Sequence, residues 1–306
     1  MRGRVVLWGA IAAVHAAAAV EQGNLEALCG ECRVERFADC GGFLEGATVA
    51  SDGTLWIVDL LSGNVLSVDG RGACTVRANT GGQPNGAKFH RDGRLFVADK
   101  LLGIVAIDPD SGAVTRIVDM HRAERLRGTN DLVFDDAGGL YFTEPYGSGV
   151  LEPNGRVFYL PADGTGLRVL EDSMAFPNGI VLSPDGSAVL VGEYARKRIV
   201  SIPSLGASDP FATTYVWSRT EGGIGPDGMA FDERGNLYAA IFQGGAVQVF
   251  DASGYEIGRI SLPEGAGTFV TNLAFGGEWL YITEASQGVV WRVRMRVRGL
   301  PLFHRK

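Results

Sequence analysis

Short apolar runs bounded by glycine-rich turns repeat along this chain at an even spacing. Six of them open on a carboxylate or carboxamide that leads directly into apolar residues: Glu45-Gly46-Ala47-Thr48-Val49, Asn85-Gly86-Ala87-Lys88-Phe89, Asn130-Asp131-Leu132-Val133-Phe134, Asn178-Gly179-Ile180-Val181-Leu182, Asp227-Gly228-Met229-Ala230-Phe231 and Asn272-Leu273-Ala274-Phe275. Successive openings are 40, 45, 48, 49 and 45 residues apart. Each run is followed by a tight turn, such as Ser51-Asp52-Gly53, Arg91-Asp92-Gly93 or Pro184-Asp185-Gly186. Asp-Gly between apolar runs signals a hairpin, because both residues accept positive φ. The returning runs, such as Leu55-Trp56-Ile57-Val58 and Leu140-Tyr141-Phe142-Thr143, are β-branched and aromatic, as strands packed between sheets should be. Third strands are expected at 65–68, 104–107, 156–160, 199–202, 247–250 and 289–293, and fourth strands at 74–78, 114–119, 167–171, 211–217 and 256–262.

An all-strand unit repeating at this period predicts a propeller: an all-β, six-bladed fold of four-stranded antiparallel blades. The sixth unit runs out of chain before a fourth strand. A spare apolar segment, Arg33-Val34-Glu35-Arg36-Phe37, precedes the first unit and is expected to complete the sixth blade, closing the ring and removing an exposed edge. The propeller is placed at 33–298, after an extension at 20–32 and before a tail at 299–306.

The net charge of −7 and a pI near 5.2 exclude a phosphate-backbone partner, so no nucleic acid is expected. Arg2 and Arg4 precede an apolar stretch ending in Ala16-Ala17-Ala18-Ala19, the pattern of a signal peptide over 1–19. The chain is therefore expected to be secreted or periplasmic, and cytoplasmic if 1–19 is not a signal. No stretch has the length of a membrane span. In an exported protein Cys29, Cys32, Cys40 and Cys74 form one or two disulfides tying the N-terminal segment to the first blade; spacing leaves their connectivity open.

In a propeller the innermost strands line the axis, so the opening residues Glu45, Asn85, Asn130, Asn178, Asp227 and Asn272 should converge at one end of it. Asn and Asp before Gly are also ordinary turn formers. Their recurrence at one offset in every unit, including Asn130 and Asn272 with no following glycine, favours a shared role. All six are hard oxygen donors, and the two acids match a divalent cation: calcium first, with magnesium, manganese and zinc as alternatives. Four of the six are expected to hold it. A wider ring is expected where the second strands end, at Asp59, Asp99, Glu144, Glu193, Ile241 and Glu284, five of them acidic.

Several motifs carry a family resemblance: Phe43-Leu44-Glu45-Gly46, Arg125 to Leu132, Tyr141-Phe142-Thr143-Glu144-Pro145-Tyr146-Gly147, Pro177-Asn178-Gly179-Ile180 and Pro226-Asp227-Gly228-Met229. In order, they resemble the senescence-marker-protein (regucalcin)/gluconolactonase family over nearly the whole span from Arg33 to Arg298. The resemblance implies a six-bladed propeller with a divalent ion on its axis and hydrolysis of a lactone or related ester. It implies Glu45, Asn178 and Asp227 as metal ligands and Asn130 as a ligand or substrate contact. It makes Asp227 the base, with Asn85, Asn130, Tyr146, Glu144 and Asn272 near the substrate. The chain departs from the family at Ala47-Thr48-Val49, where Pro-x-Trp is common, and at Thr129, where Pro is usual. Both departures adjoin the site, so substrate identity is where this chain is expected to differ. Phosphotriester hydrolysis on the same site, or a non-catalytic calcium- or ligand-binding propeller, are the alternatives. A histidine base would have to come from His121, in a loop with Arg122, Arg125 and Arg127 that would act as a lid. No Gly-x-Ser-x-Gly elbow is present.

Overall fold

The computed structural model describes residues 25–305. Among them, the strands form six four-stranded antiparallel sheets and one two-stranded hairpin, Met120–His121 with Glu124–Arg125. The innermost strands are Leu44–Val49, Pro84–Phe89, Leu132–Phe134, Pro177–Leu182, Gly225–Phe231 and Val270–Gly276. Each touches the next, and the last touches the first, so the sheets stand as blades around an axis. The sixth sheet is completed by Val34–Asp39, which pairs antiparallel with Val289–Arg294. Closure by an N-terminal strand therefore holds, and it covers the otherwise unpaired edge of Val289–Arg294.

The core is divided among the blade interfaces. Side chains of one strand alternate between two neighbours. Leu55 and Ile57 enter the cluster shared with the sixth blade, whereas Trp56 and Val58 enter the one shared with the second. Six such clusters account for the runs buried on both faces. The expected fourth strand at 211–217 begins later, at Tyr215–Arg219, because the preceding residues are held in a turn, Phe211 N–H donating to Asp209 Oδ1 (2.9 Å) and Ala212 N–H to the Asp209 carbonyl (3.2 Å).

Two terminal segments gain structure that their sequences did not announce. Residues 25–29 are helical and pack Leu25, Leu28 and Cys29 against the fifth–sixth interface. The C-terminal tail crosses the far end of the axis. Leu300 N–H donates to the Phe231 carbonyl (2.9 Å), Arg91 Nε donates to the Phe303 carbonyl (2.9 Å), and the Phe303 ring stacks on Phe134 at 5.3 Å. The expected signal segment, 1–19, lies outside the described residues. No helix among the described residues is long and apolar enough to cross a membrane.

The cysteines pair as Cys29–Cys32 and Cys40–Cys74. The first bridge stays within the N-terminal segment. The second ties the loop after the closing strand to the outermost strand of the first blade, across a sequence separation of 34. Replacing both of its cysteines by serine (C40S/C74S) is expected to lower stability by about 2–4 kcal/mol. Urea denaturation reads this as a lower midpoint with a steeper slope, because the unbridged chain unfolds further, and coincident curves would show that the bridge adds nothing.

Candidate active site

Five of the six hub residues sit where the hairpin register breaks. The pairing of inner and second strands shifts between Glu45 and Thr48, Pro84 and Ala87, Pro177 and Ile180, Pro226 and Met229, and Val270 and Asn272. A bulge re-aims the side chain it carries, and here it turns the donor out of the blade interface. In the third blade the inner strand starts just after Asn130-Asp131.

The glycines that follow four of these residues are not turn glycines. A Cβ on Gly46 would collide with the Asn85 carbonyl oxygen, one on Gly86 with the Asp131 carboxylate, one on Gly179 with the Asp227 carbonyl, and one on Gly228 with the Asn272 carboxamide. Every collision is with the next blade. The two junctions without glycine use side chains instead. Thr143 Oγ1 donates to the Asn178 carbonyl (2.7 Å), and Thr271 Oγ1 donates to the Leu44 carbonyl (2.7 Å).

The six openings therefore come together. Glu45, Asn85, Asn130, Asn178, Asp227 and Asn272 are each only 2–5% exposed. The Asn272 carboxamide donates to Glu45, and that of Asn178 to Asp227. Burial, and then the negative fields of Asp227 and Asp131, hold the Glu45 carboxyl well above its usual range; burial and Asp131 do the same to Asp227. Tyr146 sits against them, its hydroxyl receiving hydrogen bonds from Asn130 and Asn85. Burial and the Glu45 and Asp227 charges push it up to about 12, so it stays a neutral phenol.

Two polar atoms at this hub have no hydrogen-bond partner: Glu45 Oε2 and Asn130 Oδ1, both fully buried. A buried oxygen left unmatched is destabilising unless something else meets it. Among the described residues no group of three or more His, Cys, Asp and Glu side chains is placed to hold one metal ion. The hub's donors are instead carboxylates mixed with carboxamides, a set that suits a hard cation.

Asp131 was not foreseen as a site residue. It is 2% exposed, accepts from the Leu132 N–H (2.8 Å) and Ile180 N–H (3.2 Å), and lies 4.0 Å from Lys88 Nζ. Its signal was present: an acid where four other units have glycine. Tyr194, which feels the Asp227 and Glu45 charges, was missed as well, although it follows the second-strand acid Glu193 much as Tyr146 follows Glu144.

Glu144 is fully buried, accepts from the Arg127 N–H (2.5 Å) and receives Nε of both Arg127 (3.1 Å) and Arg156 (2.6 Å), so three of its roughly four acceptor positions are taken within the protein. The whole outer ring behaves this way. Asp59 accepts from Phe43 N–H, Asp99 from Gln83, Glu193 from Ala175 and Glu284 from Phe269. Each donor lies two or three residues before a hub residue. Where the fifth blade has Ile241, Ile224 N–H donates to the Phe242 carbonyl instead. His121 lies edge-on to Phe158, at 5.2 Å, and the charges that act on it most are Arg122, Arg156, Glu144 and Glu124, none of them a hub residue.

A six-bladed propeller with a buried, oxygen-lined hub is the class these features define. Residues 43–286 match the SMP-30/Gluconolactonase/LRE-like region, and the chain belongs to that family. It is 34% identical over 214 residues to a gluconolactonase of Zymomonas mobilis, covering 64% of this chain and 58% of that one. It is 35% identical over 137 residues to lactonase drp35 of Staphylococcus epidermidis, covering 44% of this chain and 42% of that one. The match thus spans about half the length of these curated relatives. Among solved structures, a gluconolactonase from Xanthomonas campestris superposes with a TM-score of 0.78 at 25% identity, over 89% of this chain and 92% of that one. A regucalcin from Agrobacterium tumefaciens, described as a calcium-binding protein, gives 0.73 at 23% identity, over 88% and 96%, and speaks for the fold alone.

The close approach of blades gives a direct test. Gly179→Ala is expected to destabilise the protein by about 1–3 kcal/mol, because the new methyl would press on the Asp227 carbonyl. Thermal melting followed by circular dichroism measures it, and an unchanged melt would mean that the blades have room to part.

Proposed function

We propose that the protein is a divalent-metal-dependent lactonase acting at this hub. The observation that carries the reading is the buried pair of unmatched oxygens, Glu45 Oε2 and Asn130 Oδ1, among carboxylates and carboxamides in a chain of this family. The gluconolactonase and lactonase relatives support the choice of a lactone as substrate.

Glu45, Asn130, Asn178 and Asp227 are the residues that would hold the ion, calcium being the best match to an all-oxygen set. When bound, such a cation polarises an acyl oxygen and makes nearby water more acidic. Asp227 supplies the base: its carboxylate takes a proton from the attacking water as the water oxygen bonds to the acyl carbon. The ring C–O bond then breaks, and the proton passes to the departing alkoxide, leaving a hydroxy acid. Tyr146, kept neutral by its surroundings, donates a hydrogen bond to the ester, while Asn85 and Asn130 fix its hydroxyl. The Cys29–Cys32 and Cys40–Cys74 bridges fit an oxidising compartment, which favours a secreted or periplasmic protein.

The test is lactone opening by the purified chain, followed by acid release. Chelation should abolish it and divalent cations restore it. Asp227→Asn should melt like the parent while kcat falls by about 10²–10⁴. Activity that persists undiminished in excess chelator would overturn metal dependence.

A further inference from the structure

The hub is polar, but the mouth above it is not. Phe43, Phe176 and Phe269 lie two or three residues before Glu45, Asn178 and Asn272. Tyr146, Tyr194 and Phe242 end or follow second strands, which the hairpin pairing brings to the same end of the axis. Their rings touch in sequence. Tyr146 meets Phe176 at 5.8 Å, Phe176 meets Tyr194 at 5.3 Å, Tyr194 meets Phe242 at 6.1 Å, and Phe242 meets both Phe269 at 4.7 Å and Phe43 at 6.5 Å. All six are half-buried, unlike the fully buried rings of the blade interfaces. On the second-blade side a charge joins them, where Lys100 Nζ lies 4.4 Å from the Tyr146 ring centre.

One of these rings is held at some conformational expense. Phe176 has φ of 59°, a left-handed backbone that bulky residues rarely adopt. Its N–H donates to Ser148 Oγ (3.0 Å) and its carbonyl accepts from Tyr194 N–H (3.0 Å), which fixes the turn. Strain kept in place at a site mouth points to a position that matters there.

We infer that the substrate is a lactone carrying an apolar alkyl or aryl substituent, seated with its acyl group at the hub and its substituent against this aromatic wall. The inference rests on the lactonase reading and names the substrate class for it. The four phenylalanine faces offer apolar area and no partner for hydroxyls, and Tyr146 and Tyr194 add one hydroxyl each. A sugar lactone would therefore bring several hydroxyls to a wall that satisfies few of them, and unsatisfied polar groups weaken binding.

Three δ-lactones separate the possibilities, because they share one reacting ring: δ-valerolactone, δ-decalactone with its pentyl tail, and glucono-δ-lactone. The expected order in kcat/KM is δ-decalactone above δ-valerolactone by about tenfold or more, with glucono-δ-lactone no better than δ-valerolactone. Phe176→Ala and Phe242→Ala should each reduce the δ-decalactone to δ-valerolactone ratio by about threefold or more. That ratio, taken within one preparation, does not depend on the folded fraction. Glucono-δ-lactone opened as well as or better than δ-decalactone would overturn the apolar class and leave the lactonase standing. A ratio unmoved by both variants would overturn the role of the wall. No opening of any of the three would overturn the lactonase reading, and this inference with it.

Discussion

Neighbouring inner strands touch backbone to backbone at the hub, and the rest of the site depends on that contact. Six blades around an axis place six chain segments within reach of one point, but only if little stands between adjacent segments. Gly46, Gly86, Gly179 and Gly228 give that clearance, each against the next blade's hub residue. The bulges then take five of the six donor residues out of the alternation of their strands, so that their side chains face the axis. Removing the clearance would move the donors apart before any donor was changed.

Two rings of polar residues surround the axis, and hydrogen bonding distinguishes their work. The outer acids are saturated: Asp99, for instance, accepts from Gln83, Leu101, Leu102 and Thr80. Such carboxylates fasten the segment that leads into each inner strand, so they position the hub without taking part in its chemistry. The inner ring keeps oxygens unmatched at Glu45 and Asn130. A folded protein tolerates unmatched buried oxygens where a ligand will meet them. Satisfaction of hydrogen bonds thus separates scaffold from site where residue type does not.

Much of this was legible in the sequence. The repeat set the blade count, the turns set the hairpins, and the recurring donor set the hub, because period-2 alternation and positive-φ turns are local signals. The spare segment at 33–37 read as the closing strand because an incomplete sixth unit needs a partner. Three things were not local. The glycines after Glu45, Asn85, Asn178 and Asp227 looked like turn chemistry, since clearance against a neighbouring blade is a tertiary property. Glu144 has the residue type of a hub donor, and its fastening of Arg127 and Arg156 through three hydrogen bonds is a tertiary property that the sequence does not show. The tail has no periodicity, yet Phe303 is buried against Phe134, a contact between residues far apart in sequence.

The charge distribution gives the hub its direction. Three carboxylates, Glu45, Asp131 and Asp227, act on one another in a site closed to water. Lys88, on the inner strand of the second blade, stands 4.0 Å from Asp131. It offsets one negative charge on the side of the axis toward the tail and leaves Glu45 and Asp227 without a fixed counter-charge. Two uncompensated acids in low dielectric repel strongly, and a divalent cation relieves that repulsion in a way a single proton does not. The aromatic mouth works in the same sense. By keeping water from the hub it strengthens every charge interaction inside, so the wall that seats an apolar substituent also sharpens the electrostatics of the centre beneath it.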